Sequence, residues 1–131
     1  ASFSSSELGA ESFTVELGKV RPFGQNDLGR FTGIANALRR RLKGEEPPKR
    51  DKGAAPITVF EVVHEILNTG DSFQFHVPDD VANFTMYDPG TVIWEDSNTR
   101  YTVGDTPEGI VFPNRDVPVG QRVGLMIRPT R

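Results

Sequence analysis

Between Glu45 and Ala55 the chain runs through Pro47-Pro48, the charged cluster Lys49, Arg50, Asp51 and Lys52, and then Gly53. Neither a helix nor a strand continues through consecutive prolines, and so polar a stretch has little to bury. The chain therefore reads as two parts, residues 1–50 and 51–131. In the first, Phe13, Val15 and Leu17 alternate with Ser12, Thr14 and Glu16 and predict a short strand ended by Gly18. A loop at Arg21-Pro22-Phe23-Gly24 follows. Asn26 or Asp27 can then cap a helix whose apolar residues Leu28, Phe31, Ile34, Ala35, Leu38 and Leu42 recur at three- and four-residue steps. Arg39 to Arg41 and Lys43 suit the negative end of its dipole, and Gly44 is a natural terminator.

Beyond the linker the pattern changes to short apolar runs separated by Gly, Pro, Asn and Asp. Strands are expected at Ile57–Leu67, Phe73–Val77, Thr91–Trp94, Arg100–Val103, Gly109–Phe112 and Arg122–Arg128. Such spacing describes a compact all-β unit, barrel or sandwich. The expected class is thus α+β, a strand–loop–helix piece followed by a small β domain.

Size and charge narrow what these parts can do. At 131 residues the chain holds one ordinary domain, or a small domain plus a piece of another. No apolar run approaches the roughly 20 residues that a membrane helix needs. A net charge of −3 and a pI near 5.4 argue against nucleic acid as a partner. The basic residues Arg39–Lys43 and Lys49–Lys52 are diluted by Glu45, Glu46 and Asp51, with no interleaved aromatics. Cysteine is absent, which excludes disulfides and thiolate metal sites and fits a reducing cytoplasm. The chain starts at Ala1 without Met, and residues 1–10 lack the basic lead and apolar run of a signal peptide, so none is expected; a processed or cut chain is.

Three motifs then occur in order: Phe13-Thr14-Val15-Glu16-Leu17-Gly18-Lys19; Arg21-Pro22-Phe23-Gly24-Gln25-Asn26-Asp27-Leu28; and Phe112-Pro113-Asn114 with Val119-Gly120-Gln121-Arg122-Val123-Gly124-Leu125-Met126. Together they resemble the succinylglutamate desuccinylases, a family grouped with aspartoacylase and the zinc carboxypeptidases. The resemblance implies that residues 1–50 are the last strand and helix of a carboxypeptidase-like α/β domain. It implies that residues 51–131 form a barrel-sandwich hybrid. It further implies a hydrolase that splits N-succinylglutamate into succinate and glutamate in arginine catabolism, with one zinc ion as cofactor.

On that resemblance Glu16 is the general acid/base: a carboxylate at the end of a strand, where open α/β sheets present their functional groups. Lys19, Asn114 and Arg122 become candidates for substrate binding. An ordinary strand-end glutamate, a solvated lysine, a tight turn at Pro113-Asn114 and a solvated strand arginine are the corresponding structural roles. The family's metal ligands lie upstream of the Glu16 strand. Here the only histidines are His64 and His76. Pro78 prevents a helical pairing of His76 with Asp79, and His64 and Glu65 point to opposite strand faces, so neither is expected to bind metal. A related N-acyl amino acid hydrolase of the aspartoacylase type and a non-catalytic β binding module are the alternatives.

Overall fold

The computed structural model describes residues 2–16 and 22–130. The chain divides into two compact units, Ala1–Ala54 and Ala55–Arg131.

The first unit is helical. A short helix, α1 (Ser2–Ser6), comes first, although no feature of the sequence announces it. The amphipathic run begins as a single 3-10 turn at Leu28–Phe31 and continues as α2 (Thr32–Leu42). Asp27 is the cap: its carboxylate accepts the Gly29 N–H at 3.0 Å. The Thr32 hydroxyl donates back to the Gly29 carbonyl at 2.8 Å. These contacts, two and three residues apart, tighten the first turn into 3-10 geometry, so the expected capping residue serves the turn in front of the α-helix. At the other end Gly44 has φ 70°. Gly44 donates to the Arg41 carbonyl and Glu45 to that of Arg40, the paired bonds of a left-handed helix stop.

The expected strand at Phe13–Leu17 does not form. Residues 13–16 carry no regular structure, and Leu17 lies outside the described residues. A strand is stabilised by the ladder of a neighbour, and the first unit has no strand among its described residues to supply one. The strand–loop–helix piece expected for residues 1–50 is therefore present only as loop and helix. Its apolar residues are unburied: Phe13 is 80% exposed, Leu38 56% and Leu42 88%. α2 buries no residue.

The second unit supplies the core. Its strands are β1 (Phe60–Leu67), β2 (Gln74–Phe75), β3 (Thr85–Tyr87), β4 (Val92–Glu95), β5 (Arg100–Thr102), β6 (Glu108–Val111) and β7 (Arg122–Pro129). Six fall where turn residues and apolar runs place them. The added strand, β3, is three residues long and sits at a sheet edge, too short to show alternation. All pairings are antiparallel, in one four-stranded sheet of order β1-β7-β6-β3 and one three-stranded sheet of order β2-β4-β5. This mostly β architecture, two sheets closed over one core, positions the polar groups of the second unit.

Register decides what faces the core. His64, Met126, Ile110 and Thr85 stand in one row across the larger sheet. Phe75, Trp94 and Tyr101 stand in one row across the smaller. Residues directly opposite share a face, and the two rows meet: the His64 ring stacks on Tyr101, centroids 4.0 Å apart and 9° from parallel. Ile66, Val77, Ile93, Val103, Ile110, Val123 and Met126 close around them. The other face of the larger sheet carries the row Val62, Ile127, Gly109, Met86. There Ile127 and, farther along β6, Val111 are nearly inaccessible, while Val62, Met86, Phe84 and Phe112 stay open to solvent.

Two outcomes follow for the chain in solution. Limited proteolysis should remove the first unit and leave a resistant core that begins near Ala55, because local stability tracks buried apolar contact; a digest that cuts β4 to β7 as readily as α2 contradicts the fold. Ile110→Ala should cost about 2–5 kcal/mol in urea denaturation, the usual range for emptying a filled core site.

Candidate functional site

Glu16 is exposed in the first unit. Lys19 lies outside the described residues. Asn114 and Arg122 belong to the second unit, where the Asn114 N–H donates to the Val123 carbonyl at 2.7 Å. That bond sets Asn114 beside the residue that follows Arg122. The Asn114 side chain also accepts the Asp116 N–H at 3.1 Å, an Asx turn. Arg122 is the first residue of β7, opposite Leu67, and is exposed.

Next to Asn114 is a recess of about 260 Å³ lined in part by Phe75, Pro78, Asp79 and Arg115. Arg115 is already committed: it pairs with Asp79, donates to the Val77 carbonyl and lies 5.8 Å from the centre of the Phe75 ring. A recess of that size is below the usual volume of a small-molecule site, and its one cation is neutralised. It is a rim feature that tethers the Pro78–Asp79 loop.

The two histidines are both engaged. His76 Nε2 is 3.1 Å from Glu95, which also pairs with Arg100 at the surface. His64 lies inside the second unit, where its Nε2 accepts the Trp94 indole N–H at 3.2 Å. Among the described residues no group of three or more His, Asp or Glu is placed to hold a metal ion. The donor set of the described residues does not fit a zinc site. Among the described residues no helix is long and apolar enough to cross a membrane.

One constellation escapes sequence reading altogether. Glu108 is 5% exposed, and its carboxylate accepts the Tyr101 hydroxyl at 2.7 Å. Burial, with the bond to Glu108, pushes the Tyr101 phenol well above its ordinary range. His64 is held below its ordinary value, chiefly because burial disfavours its charged form. His64, Trp94, Tyr101 and Glu108 come from four strands, and no spacing in the sequence connects them. The available signal was weaker: single ionisable residues inside otherwise apolar runs. Tyr101→Phe strands the Glu108 carboxylate without its donor and should cost about 1–3 kcal/mol, read as a lower urea midpoint; an unchanged midpoint contradicts the pairing.

Comparison with known proteins places this architecture. Residues 55–130 match the AstE/AspA barrel-sandwich hybrid domain. Among curated relatives, a succinylglutamate desuccinylase of Burkholderia orbicola is 44% identical over 98% of this chain, and one of Pseudomonas fluorescens is 40% identical over 99%. The chain spans only 36% and 39% of the length of those two proteins. Crystal structures agree: succinylglutamate desuccinylase from Vibrio cholerae superposes with a TM-score of 0.83 at 32% identity, covering 97% of this chain and 36% of that one. The structure from Vibrio parahaemolyticus gives 0.80 at 33%, covering 98% and 37%. With its two-sheet unit matched over residues 55–130, the chain belongs to the AstE/AspA family.

Proposed function

We propose that this chain is the carboxyl-terminal portion of a cytoplasmic amide hydrolase that splits N-succinylglutamate into succinate and glutamate, and that Glu16 is its general acid/base. The observation that carries this reading is the reach of the identity: it covers nearly the whole chain, the Glu16 segment included, in proteins named succinylglutamate desuccinylase. The structure lends support of a different kind. An amphipathic helix with no buried residue, together with a segment at residues 13–16 that has no regular structure, is what a piece of a larger α/β domain looks like by itself.

The chemistry assigned to Glu16 follows from why amides resist hydrolysis. Water is a weak nucleophile and an amine a poor leaving group. As carboxylate, Glu16 takes a proton from the attacking water while the oxygen bonds to the succinyl carbonyl carbon. As acid, it returns that proton to the amide nitrogen as the C–N bond breaks. Transfer of this kind contributes about 100- to 10,000-fold. Lys19, Asn114 and Arg122 are assigned to binding the substrate, whose carboxylates suit the two cations. Zinc is the cofactor implied by the family resemblance; its ligands would lie outside this chain, and when bound it would polarise the scissile carbonyl. The reaction would close an arginine-degradation route. The self-contained core of the second unit supports a second reading, a β module that binds without chemistry.

The readings separate on two measurements. In the complete enzyme Glu16→Gln should lower kcat at least 100-fold with zinc content unchanged; near wild-type turnover favours the binding module. The isolated chain, dialysed against zinc and assayed for metal, should retain far less than one equivalent; tight stoichiometric zinc contradicts the placement of the ligands elsewhere.

A further inference from the structure

The two sheets of the second unit are joined by polar bonds as well as by apolar packing. His64 and Glu108 lie on β1 and β6 of the larger sheet, Trp94 and Tyr101 on β4 and β5 of the smaller. The indole N–H of Trp94 reaches His64 Nε2, and the hydroxyl of Tyr101 reaches Glu108. Indole nitrogen only donates, so Nε2 must be the acceptor and the imidazole proton sits on Nδ1. The bond therefore exists only while His64 is neutral.

We propose that His64 is a proton-sensitive pin between the two sheets: neutral, it accepts the Trp94 bond and stacks on Tyr101; once Nε2 takes a proton from solvent, that bond is lost and the sheets loosen at this end of the sandwich. The groups around it set the balance. Glu108 on β6 and Glu65 on β1 itself attract the imidazolium, but burial opposes it more strongly. Arg128 on β7, bonded to Glu61 on β1, adds positive charge near the Tyr101 end. Tyr101 on β5 stays a neutral phenol in this range, and Trp94 on β4 does not titrate. Because the pin is held neutral when folded, the unfolded chain takes up the proton first. Stability is complete above the unfolded value of about 6.5 and is lost as pH falls through the lower folded value. One proton is involved, so the folded-to-unfolded ratio drops by at most about tenfold per pH unit across that interval. Asp96 is held low by Thr69 and by the Asn98 and Thr99 amides, so its titration lies below this window.

Trp94 is the only tryptophan in the chain, which makes its fluorescence a local reporter. Between pH 8 and 5, emission of the intact chain should follow a single-proton curve with a midpoint below 6.5. The curve should vanish in His64→Gln and persist in His76→Gln. Nitrogen NMR of the unaltered chain at pH 7.5 should show the Nδ1–H tautomer of His64, a readout that holds even if the variant fails to fold. Emission that does not titrate, a curve that survives His64→Gln or disappears with His76→Gln, or a proton on Nε2 at pH 7.5 would each overturn the proposal.

Discussion

The buried carboxylate of Glu108 is the constraint around which the β unit is arranged. A polar group shielded from water is costly unless hydrogen-bonded, and the sandwich meets that need from the opposite sheet, through Tyr101. Tyr101 must then sit where its ring can stack on His64, and His64 must stand in the Met126–Ile110 row that faces the core. The β1 irregularity between Val62 and His64 makes this possible, because it shifts the strand by one residue and turns His64 inward after Val62 has faced outward. A matching irregularity between Val92 and Trp94 lets Ile93 and Trp94 both contribute to the core. Sheet register, side-chain stacking and polar pairing are thus one solution to a single desolvation problem.

Apolar burial provides the bulk of the stabilisation but does not by itself fix how the two sheets are set against each other. Ile66, Ile93, Ile110 and Met126 are fully inaccessible, yet hydrophobic packing is tolerant of small slides. Directional bonds from Trp94 and Tyr101 pick out one alignment. The opposite face of the larger sheet is a different case. Phe84 and Phe112 adopt left-handed backbone, φ 68° and 56°, with their rings largely open to water. Such conformations are unfavourable for a phenylalanine, and here they are held by the bonds from Phe84 N–H to Ile110 and from Phe112 N–H to the Asn83 side chain.

What the sequence disclosed follows from where the information resides. Strand positions were legible because turns at Asp88-Pro89-Gly90 and Asp96–Asn98 punctuate apolar runs, and turn chemistry is local. The Asp27 cap and Gly44 stop were legible for the same reason. The Phe13–Leu17 strand was misread because alternation records a tendency to pair, and pairing needs a neighbour. The inter-sheet cluster was invisible because His64, Trp94, Tyr101 and Glu108 meet only after register is set. Among the candidate residues, Asn114 shows a turn bond that its proline neighbour foretold, while the assignment of Glu16 came from motif order and not from any geometry of the first unit.

The second unit folds around its own core, and the first leaves Glu16 exposed. The central claim is that Glu16 serves amide hydrolysis once the rest of the enzyme is supplied. Fragment complementation tests it most directly. The part of a relative such as the Burkholderia enzyme beyond the 36% that this chain spans, mixed with this chain and zinc, should release succinate from N-succinylglutamate while neither part does so alone. A stable, metal-loaded complex of the two parts that leaves the substrate intact would contradict the account.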